Sequence, residues 1–129
     1  MVIFVIDDDQ SMLRGFLLLL QAAGFDAKAF RSAEEFLRHP DISDSDCIIL
    51  DIRMPVMNGF DLMEKLTLKG IHTPVICVTA FDDVKSRERA RVLGAAAYFT
   101  KPVDDHALID AINWACSSEK KEKHLRRGA

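Results

Sequence analysis

Three consecutive aspartates, Asp7, Asp8 and Asp9, follow the apolar run "VIFVI" at residues 2–6. Another aspartate, Asp51, follows the run "CIIL" at 47–50. Thr79 ends "PVICVT", and Lys101 follows "AAYFT". Acids gathered at one place repel one another, so they bind a cation or shift their pKa values upward. All-oxygen ligands suit a hard divalent ion. Two carboxylates, a backbone carbonyl and retained waters suit Mg²⁺, which at so sparse a site shares its sphere with phosphate. A hydroxyl and an ammonium then make sense as partners for phosphate oxygens. The set points to phosphoryl chemistry with Asp51 as nucleophile.

Taken singly, each of these residues is commonplace. Asp9 suits the N-cap of a following helix. A threonine at a strand end or a lysine before proline is usually unremarkable loop chemistry. Their meaning depends on the elements that carry them. "VIFVI" is short and apolar, as a buried strand is, and Leu13, Phe16, Leu17 and Leu20 then recur at helical spacing until Gly24. "FDAKAF" (25–30) alternates with period two. Ser32 and Glu35 fit a capping box for a second helix, and 40–46 reads as loop. A strand at 47–50, a helix at 59–68, a strand at 74–79 and a polar helix closed by Gly94 follow. A strand over 96–100 and a helix over 104–116 complete the alternation. Strands without polar alternation between helices predict a parallel sheet covered on both faces. In such sheets ligands bind beyond the carboxyl ends of the strands. The polar residues collect at that edge.

The chain has 129 residues and is 49% hydrophobic, which suits one folded domain over 1–116. Its longest apolar stretch, "GFLLLLQAAGF", is too short to span a bilayer, and no secretory signal follows Met1, so a cytoplasmic protein is expected. The three cysteines show no CxxC spacing and read as small buried residues. The four histidines form no ligand pattern and suit surface or loop positions. Net charge is −3, yet the tail "SSEKKEKHLRRGA" (117–129) is basic, so the body is acidic. Direct nucleic-acid contact by the body is not expected. The tail reads as a solvated helix extension or a linker.

"VIDDD", "ILDIRMPVMNG", "VTA" and "FTKP" together resemble the receiver domain of two-component response regulators, over residues 2–116. In particular the chain is similar to regulators with a helix-turn-helix output domain, of the nitrogen-fixation regulator type. The resemblance implies a flavodoxin-like doubly wound (βα)5 fold with sheet order 2-1-3-4-5. It implies a histidine kinase as phosphodonor and Asp51 as phosphoacceptor, with slow autodephosphorylation rather than enzyme turnover. Asp8 and Asp51 would ligate Mg²⁺ directly, Asp7 through water and Arg53 through its backbone carbonyl. Lys101 would meet the phosphoryl oxygens, or Asp51 in the free state. Thr79 and Tyr98 would be the switch pair, and Lys101–Pro102 a cis peptide. Gly59 would let the loop turn close to the site. A phosphorylation-dependent dimer through the fourth helix, fifth strand and fifth helix would control an output, with transcription as the expected one.

Several features depart from the family pattern. Arg53 stands where a small polar residue is usual, Phe81 lies two beyond Thr79, and the fourth helix is basic, with Lys85, Arg87, Arg89 and Arg91. A solvated face is the simpler reading of that run, an acidic partner's contact surface the other. A haloacid-dehalogenase-type phosphatase would need a second Asp where Arg53 stands. A flavodoxin-like cofactor binder would need a phosphate-cradling loop in place of "DDDQSM". A free-standing receiver or a phosphorylation-independent interaction module remains as the alternative class.

Overall fold

The computed structural model describes the backbone of residues 1–128 and the side chains of residues 1–117. Its elements are β1 (Val2–Ile6), α1 (Gln10–Ala22), β2 (Asp26–Phe30), α2 (Ala33–Leu37), β3 (Cys47–Asp51) and α3 (Gly59–Leu68). Then come β4 (Val75–Thr79), α4 (Val84–Val92), β5 (Ala97–Thr100) and α5 (Asp105–Gly128). A single 3-10 turn, Ile42–Asp44, lies within the segment read as loop. The five strands pair in parallel in the order β2-β1-β3-β4-β5. This is the flavodoxin-like arrangement expected. The backbone of α5 runs to Gly128, past the 104–116 expected for the last helix and in keeping with a helix extension in the tail, while the side chains of 118–129 lie outside the described residues.

Alternation along each strand divides the core in two. Ile3, Val5, Cys47, Ile49, Ile76 and Val78 pack with Leu13, Phe16 and Leu20 of α1 and with Leu108 and Ile112 of α5. Phe4, Ile6, Ile48, Leu50, Val75 and Cys77 face Phe36 of α2, Leu62, Met63 and Leu66 of α3, and Ala90 of α4. Burial on both faces is why the central strands read as unbroken apolar runs. All three cysteines are buried, as expected. His39 lies in the loop after α2, as expected, and is half-buried, edge-on to Phe4 and Phe30, because the short α2 ends beside that aromatic cluster.

Caps set where several helices begin. The Asp9 carboxylate accepts from the backbone N–H groups of Ser11 and Met12, as expected of the N-cap of α1. The Ser32 hydroxyl accepts from Glu35 N–H, but the Glu35 carboxylate turns to Arg31 N–H instead of closing the expected box on Ser32. A complete capping box stands at α3 instead, between Asn58 and Asp61. The helix α4 differs from the others: Ala90 is its one buried residue, and Val84 and Val92 are exposed.

Candidate functional site

Strand register brings the polar residues to one edge. Ile6 lies opposite Leu50, so Asp7 and Asp51 leave the sheet side by side. On the other side of β3, Asp51 pairs with Val78, and Thr79 pairs with Thr100. Thr79 and Lys101 therefore emerge one residue further on, and Lys101 N–H donates to the Thr79 carbonyl at 2.7 Å. Asp7, Asp51 and Thr79 are all buried, whereas Asp8 is exposed. A carboxylate oxygen from each of Asp7, Asp8 and Asp51 falls within 4.8 Å of the others, a set that could hold a metal ion. Only oxygen is offered, which fits a hard cation.

Lys101 crosses this edge from the last strand to the first. Its ammonium donates to Asp7 Oδ2 at 2.8 Å and stands 3.6 Å from Asp51 Oδ2. Burial pulls the Lys101 pKa down, but the Asp7 hydrogen bond and the Asp51 and Asp7 charges outweigh it and leave it raised. Burial is also the main influence on Asp51. With the adjacent Asp7 charge it pushes that carboxyl up to about 7, against Lys101 and the Arg53 N–H bond. An acid so poised gains most from a cation beside it.

The β3–α3 loop is shaped around the Asp51 backbone. A Cβ on Gly59 would stand 2.7 Å from the Asp51 carbonyl oxygen and 2.9 Å from Ile52 Cα, so only glycine fits there. Gly59 N–H donates to the Ile52 carbonyl at 2.8 Å, and Arg53 N–H to Asp51 Oδ1 at 3.3 Å. The Lys101–Pro102 peptide is cis. Val56 in the same loop has φ +69°, a region that β-branched residues rarely occupy, and it is 95% exposed.

Thr79 and Tyr98 sit on adjacent strands near this edge. The Thr79 hydroxyl is closed onto Phe81, donating to its carbonyl and accepting from its N–H, both at 3.1 Å. Tyr98 packs on the core with its hydroxyl covered and no hydrogen-bond partner among the described residues. Burial, and then the Asp82 and Asp83 charges, raise its pKa. Sequence reasoning missed what lies around them. The Arg53 guanidinium stacks on Phe81 at 4.7 Å, Arg87 on Tyr98 at 5.3 Å and Arg89 on Phe60 at 5.1 Å. The basic run is a solvated face, as expected, on which three of the four residues, Arg87, Arg89 and Arg91, pair with Asp82, Glu64 and Glu88 of this same chain. The available signal was a segment, 82–91, rich in acids and arginines and poor in apolar residues.

Comparison with known proteins agrees with this geometry. Residues 3–113 match the family model described as the response regulator receiver domain. Nodulation protein W of Bradyrhizobium diazoefficiens is 34% identical over 128 residues, covering 98% of this chain and 56% of that protein. Transcriptional regulatory protein FixJ of Azorhizobium caulinodans is 37% identical over 110 residues, covering 85% and 52%. The chain thus spans about half the length of the curated relatives it matches. Among solved structures, response regulator StyR superposes with a TM-score of 0.88 at 35% identity, over 98% of this chain and 64% of that one. The FixJ-N crystal structure gives 0.82 at 30% identity, over 90% and 93%. No described helix is long and apolar enough to cross a membrane. The matched region reaches all five strands and takes in Asp7, Asp8, Asp51, Thr79, Tyr98 and Lys101, and the chain belongs to the receiver domain family of two-component response regulators.

Proposed function

We propose that this receiver takes a phosphoryl group from a histidine kinase onto Asp51 and passes the change to an output. The observation that carries the reading is a buried Asp51 carboxylate at a strand tip, with Asp7 and Asp8 beside it and the Lys101 ammonium 3.6 Å away. Receiver domains of response regulators are phosphorylated by histidine kinases, which supports the choice of donor.

In the transfer, an Asp51 oxygen attacks phosphorus, the phosphorus–nitrogen bond of the donor imidazole breaks, and its electron pair returns to the ring. The new oxygen–phosphorus bond makes Asp51 an acyl phosphate. β3 is rigid and buried on both faces, so it holds the nucleophile still for in-line attack. Lys101 balances negative charge on the phosphoryl oxygens. The Thr79 hydroxyl exchanges its bonds with Phe81 for one to a phosphoryl oxygen. Asp8 and Asp51 would hold Mg²⁺ directly, with Asp7 acting through water and Arg53 through its carbonyl. When bound, that ion neutralises charge among the carboxylates and the phosphoryl group. Slow return to the free carboxylate follows by hydrolysis.

We take residues 1–116 as the receiver domain and 117–129 as a polar basic tail or linker. Control of transcription, from the cytoplasm, fits the transcriptional regulators among the curated relatives. Incubation with acetyl phosphate and Mg²⁺, followed by intact mass, tests the chemistry. One phosphoryl group is expected on the wild-type chain and none on Asp51→Asn, whose amide keeps the shape and loses the nucleophile. Equal uptake by both proteins would remove Asp51 from this role.

A further inference from the structure

We propose that Val56 is a specificity-determining contact for the protein phosphodonor, an apolar knob that the donor covers as it delivers its phosphoryl group to Asp51. This rests on the phosphoacceptor reading and adds to it a residue that decides which donor is accepted. Val56 stands at the centre of a three-residue turn, in which Met57 N–H donates to the Pro55 carbonyl at 2.9 Å. With φ +69° at its centre, this is the less common of the two γ-turns. It is strained for any residue with a Cβ, and most of all for a β-branched one. Glycine would sit there freely.

Nothing inside the chain offsets that strain. Val56 is 95% exposed and belongs to neither face of the core. Its flanks are fixed: Met54 is buried, the Pro55 ring locks its own φ, Met57 packs on the core, and Asn58 is tied to Asp61. They hold the tip in a conformation it would otherwise leave, and they present its two methyl groups to solvent on a rigid support. Phe81 is also exposed at this edge, but it is bonded to Thr79 and carries Arg53. Asp51 is only 5% exposed, so a donor histidine reaches it past the loops that follow the strands. The β3–α3 loop leaves directly from Asp51, so a protein seated over that carboxylate meets the loop's tip. Burying an isopropyl group there favours association, and a tip already fixed loses little freedom on binding. A small donor such as acetyl phosphate has no surface to cover it. Val56 therefore acts on the choice of donor and not on the chemistry.

Rates of phosphoryl uptake by the full chain from two kinds of donor test this. One donor is acetyl phosphate with Mg²⁺. The other comes from a panel of purified, autophosphorylated histidine kinases, of which the one that labels wild type fastest is used. Val56→Thr keeps the branched shape and replaces a methyl with a hydroxyl, whereas Val56→Gly removes the side chain and relieves the turn. Transfer from the kinase should slow by roughly threefold in Val56→Thr and roughly tenfold in Val56→Gly. Uptake from acetyl phosphate should stay within about twofold of wild type in both. An equal fall with both donors would mean that Val56 merely shapes the loop at Asp51. Unchanged kinase rates would mean that the donor does not touch it. Either result overturns the assignment. Wild type that takes phosphate from neither donor defeats the phosphoacceptor reading itself. Uptake from acetyl phosphate but from no kinase defeats the protein donor, and the role of Val56 falls with it.

Discussion

Asp51 is held up to about 7 by burial and by the neighbouring Asp7 charge. The folded chain therefore keeps a proton that the unfolded chain has lost above its ordinary value of 3.8. Through this group, stability falls as pH rises from near 4 towards 7 and then levels off. A bound cation favours the ionised form, so Mg²⁺ affinity is expected to rise with pH across the same window. Calorimetric Mg²⁺ titrations at about pH 6 and about pH 8 check this, with tighter binding at the higher pH. Equal affinities would mean that Asp51 is already ionised throughout. The neighbouring acids should separate by role. Asp8→Ala is expected to weaken Mg²⁺ binding and slow phosphoryl uptake. Asp9→Ala should cost about 1 kcal/mol of α1 capping, seen in denaturant unfolding, and leave Mg²⁺ affinity nearly unchanged. If Asp9 governed the affinity, the acid pair would have to be reassigned.

At the scale of elements, the β3–α3 loop carries two opposite constraints. Gly59 has no room for even a methyl group against the Asp51 carbonyl. Gly59→Ala must move backbone at the site and should cost about 2 kcal/mol, with a matching fall in phosphorylation rate. Val56 holds a left-handed conformation at φ +69° while burying nothing. Val56→Gly relieves that strain, and even after the flexibility glycine adds to the unfolded chain it should stabilise by about 1 kcal/mol. Thermal unfolding of both variants reads the two effects, which should have opposite signs. A destabilised Val56→Gly would show that the side chain makes a contact worth more than its strain.

The whole molecule can signal only by shifting between two packings, because a site at one sheet edge has no other reach. The face formed by α4, β5 and α5 is the expected output surface. Val92 lies there, 69% exposed, beside arginines already paired within the chain. Phosphorylation should turn this face into a two-fold, isologous contact between receivers. Light scattering is expected to show monomers without phosphodonor and dimers after acetyl phosphate and Mg²⁺. Val92→Glu should stay monomeric while still taking up phosphate. Monomers at high micromolar concentration after full uptake would point the output elsewhere.

Much of this is legible in the amino-acid sequence. Apolar runs of four to six residues between helical segments determined the parallel sheet, because strands covered on both faces leave no room for polar alternation. The positions of Asp7, Asp8, Asp51, Thr79 and Lys101 at the ends of those runs determined which edge gathers the polar residues. Short-range hydrogen bonding made Asp9 legible as a cap, since its partners are two and three residues away. Contacts between distant segments were decided only by the tertiary structure. Lys101 chooses Asp7 as its nearest partner across 94 residues of chain, and Arg89 finds Glu64 across 25. Local spacing could not show that Arg87 and Arg89 of α4 lie over rings of the same chain, because an arginine over a ring and a solvated arginine look the same in a sequence. That difference depends on which aromatic side chains the fold happens to bring beneath it.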